Sequence, residues 1–494
     1  MEAAGPQHLE LLELLGAHPE WLIIRGDGAS FPLRVDEIEI ISERGRMQFA
    51  FLGDAGFRVF GLQSWSAEGG ELALEISSQF ALAREAIRLV PRTSAGELSR
   101  QVELARTERA GEIARAVGKH FIGINLKRVA LNSENGRFAE IFFETTARER
   151  IAMLSDVTEK MTPESLLTSA FKWRERINAR SRRPINELWI AAPKRQARAL
   201  QKLAALLRPG ERSVIQVILL QPEKEPACRL LRGLAVSDLW REKPQKLTLP
   251  EIIENSETAK RIAGRSPDKI DIIHSKQGET LRFHGLPFAR VRTMLGREKA
   301  WLGVERERRP LTEESQGETA ALINDLTLNR RFDSENRRHR HYVLSPESWL
   351  ESILLRNIKL LDANLILSPI YNQFRASNDK IDLLAIRRDG RLVIIELKTS
   401  PDREMVFQAA DYWRKIELQR RRGQLAKARV FGDLEILDKP ALVYAVAPAL
   451  SFHRDFEYFA RMLSPEVELW RFELHEDWRR KIKVIARKSC GERE

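Results

Sequence analysis

Two distant stretches of the chain run through the same programme. One begins at Asp36 as DEIEIISERGRMQFAF; the other begins at Asp268 as DKIDIIHSKQGETLRF. Further pairs follow in the same order. AFKWRERI at 170–177 matches ADYWRKI at 410–416, which sets Trp173 against Trp413, and LWIAAP at 188–193 parallels VYAVAP at 443–448. A repeat of this length constrains the fold more than any single motif, because each copy must be one self-consistent packing unit. We read an internally duplicated chain. Each half is a small antiparallel β domain followed by an α/β domain.

The local patterns support that reading. Residues 20–90 alternate in period two between glycines, as WLIIRG, DEIEIIS, MQFAFLG and ELALEIS, the pattern of half-buried strands. Residues 97–120 change to helical spacing with many charges. Strands (FAEIFFE, RIAMLSD) then give way to a helix at 163–178, a strand at LWIAAP, a helix at 194–207 and a strand at SVIQVILLQ, an α/β order. The 494 residues, 43% of them hydrophobic, are too many for one core. The expected domains are a β domain at 1–95, an α/β domain at 96–226, a second β domain at 227–333 and an α/β domain at 334–494.

Composition narrows the function classes. The net charge of +12 points to a polyanionic partner, with nucleic acid ahead of plain surface solvation. Cys228 and Cys490 are far apart, so neither a zinc site nor a disulfide framework is expected. The segment MEAAGPQHLELLELLG lacks a basic leader pattern, and no apolar run reaches the ~18 residues of a membrane span. The expectation is a cytoplasmic chain with no membrane partner. Residues 328–341, LNRRFDSENRRHRH, read as a basic, solvated linker rather than a metal site.

The chemistry concentrates in KIDLLAIRRDGRLVIIELKTS at 380–400. Asp389-Gly390 is a favoured hairpin turn. Asp382 and Glu396 stand at equal distances before and after Asp389, so folding back brings them together. Glu396 and Lys398, two apart, share a sheet face. Two carboxylates ~4 Å apart repel by roughly 1–4 kcal/mol, a penalty that a divalent cation removes. Mg²⁺ takes oxygen ligands from one or two carboxylates plus phosphate and water. The Leu397 carbonyl could add a ligand, and Lys398 could orient water or offset charge building on phosphorus.

Flanking helices add candidates. Upstream, Ser345 and Pro346 start a helix as cap and first residue, and Glu347 and Glu351 share one of its faces. Downstream, Val406, Ala409, Ala410, Trp413 and Ile416 form an apolar stripe, while Gln408 and Tyr412 are i,i+4 neighbours. Arg420, Arg421, Arg422, Lys427 and Arg429 suit phosphate contacts, with a solvated helix end as the alternative.

These residues resemble the PD-(D/E)XK nuclease superfamily: Glu347, then Asp382, then Glu396-Leu397-Lys398, then Gln408-Ala-Ala-Asp-Tyr412. The hairpin looks most like NucS/EndoMS-type endonucleases, and the Gln-x-x-x-Tyr element is shared with RecB-type domains. The resemblance spans about 345–450 and does not extend to residues 1–340. It implies a restriction-endonuclease-like α/β fold and Mg²⁺- or Mn²⁺-dependent hydrolysis of DNA phosphodiesters. Asp382, Glu396 and Leu397 would hold metal, Lys398 would activate water, and Glu347, Gln408 and Tyr412 would assist. A non-catalytic nucleic-acid-binding or scaffold protein of a repair or defence system, built on the same fold, is the alternative. No G-x-x-x-x-G-K-[ST] motif occurs, so any remodelling would come from a helicase-type partner.

Counting back from the tryptophans sets Asp156 opposite Glu396, Thr158 opposite Lys398, Thr168 opposite Gln408 and Lys172 opposite Tyr412. On that alignment Glu140 meets Asp382 only with a hairpin two residues longer. The first copy is therefore expected to be a degenerate nuclease-like scaffold or DNA clamp, with Lys160 the one lysine that could serve a second site. The repeat leaves a homodimer and an internal pseudo-dimer both open.

Overall fold

The structure, a computed structural model, describes the chain apart from residues 1–5, 26–28, 44–45, 54–55, 79–83, 93–94, 182–183, 186, 222–226, 244–246, 248–252, 276–277, 295–296, 306–307, 313–315, 371–373, 376–381 and 492–494. It divides into two compact units, residues 1–200 with 214–232, and residues 201–213 with 233–494. The chain is mixed α/β with four sheets. Lys380 and Ile381 of the hairpin stretch lie outside the described residues.

In the first unit, an antiparallel seven-stranded sheet runs from Glu20–Arg25 to Arg84–Pro91. Its alternating residues meet in a core around Trp21, Phe49, Leu74 and Leu89. The helix α1 (Ala95–His120) leads into a six-stranded sheet of β1 (Ile124–Leu131), β2 (Phe138–Thr145), β3 (Arg150–Asp156), β4 (Glu187–Pro193), β5 (Ile215–Leu220) and β6 (Cys228–Leu230), with α2 (Pro163–Arg180) between β3 and β4.

In the second unit, short helices at Val236–Leu239 and Glu257–Ala263 precede strands from Ile270–Ser275 to Arg309–Pro310, antiparallel to one another. This sheet is not purely antiparallel: Phe374–Arg375, from much later in the chain, pairs parallel to its edge. Helices α3 (Gln316–Asn329) and α4 (Pro346–Arg356) precede the third six-stranded sheet. Its strands are β7 (Leu365–Leu367), β8 (Leu383–Arg387), β9 (Leu392–Leu397), β10 (Leu442–Pro448), β11 (Glu468–Leu474) and β12 (Val484–Cys490), with α5 (Met405–Arg421) between β9 and β10.

Both α/β sheets lie in chain order and share one sign pattern. The first two pairings are antiparallel, the next two parallel and the last antiparallel, in β1–β6 and again in β7–β12. The strands β9 and β10 are buried at every position, as parallel strands covered on both faces must be. Trp349, Leu350 and Leu354 of α4 pack with Ile395 and Leu397 in one core. The apolar stripe of α5 is buried as its spacing predicted, and Trp413 Nε1 donates to the Ala441 carbonyl at 3.0 Å.

Ser345 occupies the N-cap place of α4, but its side chain makes no capping bond. The residue is left-handed (φ 46°), and its carbonyl is taken by Arg330 at 3.2 Å. The stretch at 328–341 is not a solvated linker throughout. Arg330 is fully buried; it donates to the carbonyls of Phe283, His284, His341, Leu344 and Ser345 and lies over the Trp349 ring. A five-donor guanidinium can satisfy that many carbonyls; a lysine could not.

Candidate active site

The hairpin forms as its turn chemistry dictates. Gly390 adopts φ 84°, its N–H bonds the Arg387 carbonyl at 2.9 Å, and a Cβ there would lie 2.9 Å from the Glu435 carbonyl oxygen. Pairing of Leu383 with Ile395 continues to Asp382 opposite Glu396. Asp382 Oδ2 accepts the Leu397 N–H at 2.9 Å, which ties the strand ends together. Lys398 N–H reaches the Val446 carbonyl at 3.0 Å, which carries the pairing with β10 one residue past the C-terminal end of β9.

Glu396 is 2% exposed. Its Oε1 meets Lys398 Nζ at 3.2 Å, while Oε2 is buried with no hydrogen-bond partner among the described residues. Burial, and then the charge of Asp382, push its carboxyl well above the usual range against the pull of Lys398. Lys398 Nζ also lies 3.2 Å from Asp402 Oδ2. Burial opposes its charge, but Glu396, Glu347 and Asp402 outweigh that and hold the ammonium protonated. Asp402, which the sequence reading missed, is four residues beyond Lys398 and bonds the Glu404 N–H at 2.7 Å, just before α5.

The two helix glutamates separate. Glu347 acts electrostatically on both Glu396 and Lys398. Glu351 is 1% exposed and pairs with Arg282 at 3.0 Å in the neighbouring β sheet. Gln408 stands on the first turns of α5 with a buried, unpartnered Oε1, and Tyr412 carries Lys415 over its ring. The basic cluster is largely committed internally. Arg420 binds Glu417 and Asp438, Arg421 lies over Trp240 and Arg422 donates to the Trp240 carbonyl at 2.9 Å. Lys427 and Arg429 are exposed.

An unpartnered, buried carboxylate oxygen beside a second carboxylate is a donor set that suits a hard divalent cation. A divalent ion of that kind would find its side-chain ligands in Asp382 and Glu396. When bound, such an ion would neutralise the two carboxylates and polarise a phosphate oxygen.

The matching place in the first α/β sheet differs. Strand pairing sets Ala191 beside Ser155 there and Val446 beside Leu397 here. With LWIAAP set against VYAVAP, Leu154 falls where Glu396 does and Asp156 where Lys398 does. Glu140 pairs with Leu154 as Asp382 does with Glu396, with the hairpin the same length in both copies. The alignment through the tryptophans is thus shifted. The two-residue difference lies between strand and helix, not in the hairpin, because the strand ladder fixes register whereas the loop absorbs insertions. Asp156 is 2% exposed and fully engaged: Oδ1 accepts Thr158 N and Oγ1 at 2.8 and 2.7 Å, and Oδ2 accepts Met161 N at 2.7 Å. Lys160 is exposed.

The described residues bring Asp325, His339 and His341 together, with one ligand atom from each within 4.8 Å of the others, a cluster the linker reading passed over. No helix among the described residues is long and apolar enough to cross a membrane.

No family model matches the sequence, and no curated protein does. Among solved structures, the chain is similar to EndoMS in its apo form, at 11% identity, over 45% of this chain and 98% of that one, with a TM-score of 0.17. A score that low lends no weight to fold or function.

Proposed function

We propose that this chain is a metal-dependent DNA endonuclease of PD-(D/E)XK type with one active centre, in the sheet β7–β12. The observation that carries the reading is the buried Glu396 carboxylate. It faces Asp382 across the hairpin and Lys398 along the strand, with Oε2 left unpartnered. A fold gains nothing from this arrangement: burying Glu396 beside a second carboxylate with one oxygen unpaired is costly, and a bound cation would offset that cost.

In this reading Asp382, Glu396 and the Leu397 carbonyl hold Mg²⁺ or Mn²⁺. Lys398, kept charged by three carboxylates, offsets the negative charge that develops on phosphorus and orients the attacking water. Asp402 positions Lys398; Glu347 tunes both groups. Gln408 and Tyr412 would orient the nucleotide, and Lys427 and Arg429, beyond the end of α5, would supply phosphate contacts. The four domains at 1–95, 96–226, 227–333 and 334–494 are, in our reading, two copies of one ancestral unit. The first copy, with leucine at the place of Glu396, is a scaffold or DNA clamp that makes the chain an internal pseudo-dimer working in the cytoplasm.

Incubation with single-stranded, double-stranded and branched DNA tests this directly. Cleavage of at least one form is expected with Mg²⁺ or Mn²⁺ and none with EDTA. Salt-sensitive DNA binding without metal-dependent cleavage would instead favour a non-catalytic binder.

A further inference from the structure

We propose a second metal site, for a borderline-soft divalent ion of the Zn²⁺ class, formed by Asp325, His339 and His341. It does not depend on the nuclease reading. Asp325 lies on α3, and the two histidines lie beyond it at the turn into Arg340–Val343. One ligand atom from each falls within 4.8 Å of the other two.

Three observations distinguish this cluster from a chance surface grouping. First, His341 is 1% exposed, its Nδ1 lies 2.8 Å from Asp325 Oδ2, and among the described residues its Nε2 has no hydrogen-bond partner. A buried imidazole of this kind is costly unless something takes its lone pair. Second, Asp325 is held from behind: Asn329 Nδ2 donates to Oδ1 at 2.7 Å, which leaves Oδ2 toward His341. An outer partner of this kind fixes a metal-binding carboxylate. Third, His339 is half-buried and its ring lies 5.0 Å from that of His341, so the turn brings both imidazoles to one place.

Two imidazoles and one carboxylate are the ligand chemistry of Zn²⁺ and its neighbours; Mg²⁺ prefers an all-oxygen set. The site would join α3 to the turn that precedes α4. Arg330, on the same segment, gathers the His341, Leu344 and Ser345 carbonyls. Metal and guanidinium together would fix the entry to the helix that carries Glu347, which gives the site a structural role.

The test uses the full chain, stripped with chelator and titrated with Zn²⁺ against a chromophoric competitor in excess Mg²⁺. One equivalent of Zn²⁺ is expected, with a rise in melting temperature. His339→Ala and, separately, Asp325→Asn should each lose the equivalent and the thermal shift while keeping the far-UV spectrum. Asn329→Ala should weaken binding by about tenfold, and Asp382→Asn should leave it unchanged. A wild-type chain that takes up no Zn²⁺ in excess Mg²⁺ would overturn the proposal. So would a folded His339→Ala or Asp325→Asn chain that binds as wild type does, or loss of the equivalent on Asp382→Asn.

Discussion

Burial of Glu396 gives the site a definite pH behaviour. Its carboxyl is raised above the ordinary value of 4.5 by burial and by Asp382. Between the unfolded and folded values the native state therefore holds a proton that the unfolded chain has released. The contribution of this group to metal-free stability is largest at low pH and falls as pH rises through that window. A divalent ion competes with the same proton, so metal affinity should rise with pH until Glu396 is ionised, then level off. Thermal melts in EDTA and in Mg²⁺ across pH would show the two curves separating as pH rises, and Glu396→Gln should remove the separation. Lys398→Ala should lower cleavage by about 10²–10³-fold with DNA affinity retained, read by single-turnover kinetics beside a binding titration.

At the level of elements, the hairpin, the helix order and the stripe of α5 were legible in the sequence because they rest on local rules: a D-G turn, period two and i,i+4 spacing. The register of the first copy was not. Counting back from Trp173 crossed a loop of different length, whereas the ladder that sets Glu140 beside Leu154 is a non-local pairing that no local word encodes. Likewise, Glu347 and Glu351 share a helix face in the sequence, and only the packing of α4 against Arg282 sends Glu351 away from the site. Two substitutions test these placements. Asp156→Ala should destabilise the fold by about 1–3 kcal/mol, because it strands buried donors, yet leave cleavage per folded molecule unchanged; urea melts and kinetics on the same samples would show both. Gly285 has φ 78°, and a Cβ there would lie 1.8 Å from the Ser348 carbonyl oxygen. Gly285→Ala must therefore push the start of α4, and should reduce cleavage and stability together.

For the whole molecule, the proposed function makes two sheets of one topology, only one of which carries the Asp382, Glu396 and Lys398 set, an asymmetric enzyme. The first sheet keeps Glu140 but has leucine at the metal-ligand place and an aspartate locked into backbone bonds at the lysine place. On the proposed function one chain would carry one active centre, and one encounter would break one strand. Supercoiled plasmid reads this most directly. With Mg²⁺ or Mn²⁺, wild-type protein should convert it to nicked circles before any linear form appears, and both EDTA and Lys398→Ala should leave it supercoiled. Nicking by Lys398→Ala at the wild-type rate would contradict the assignment of the centre to Asp382, Glu396 and Lys398.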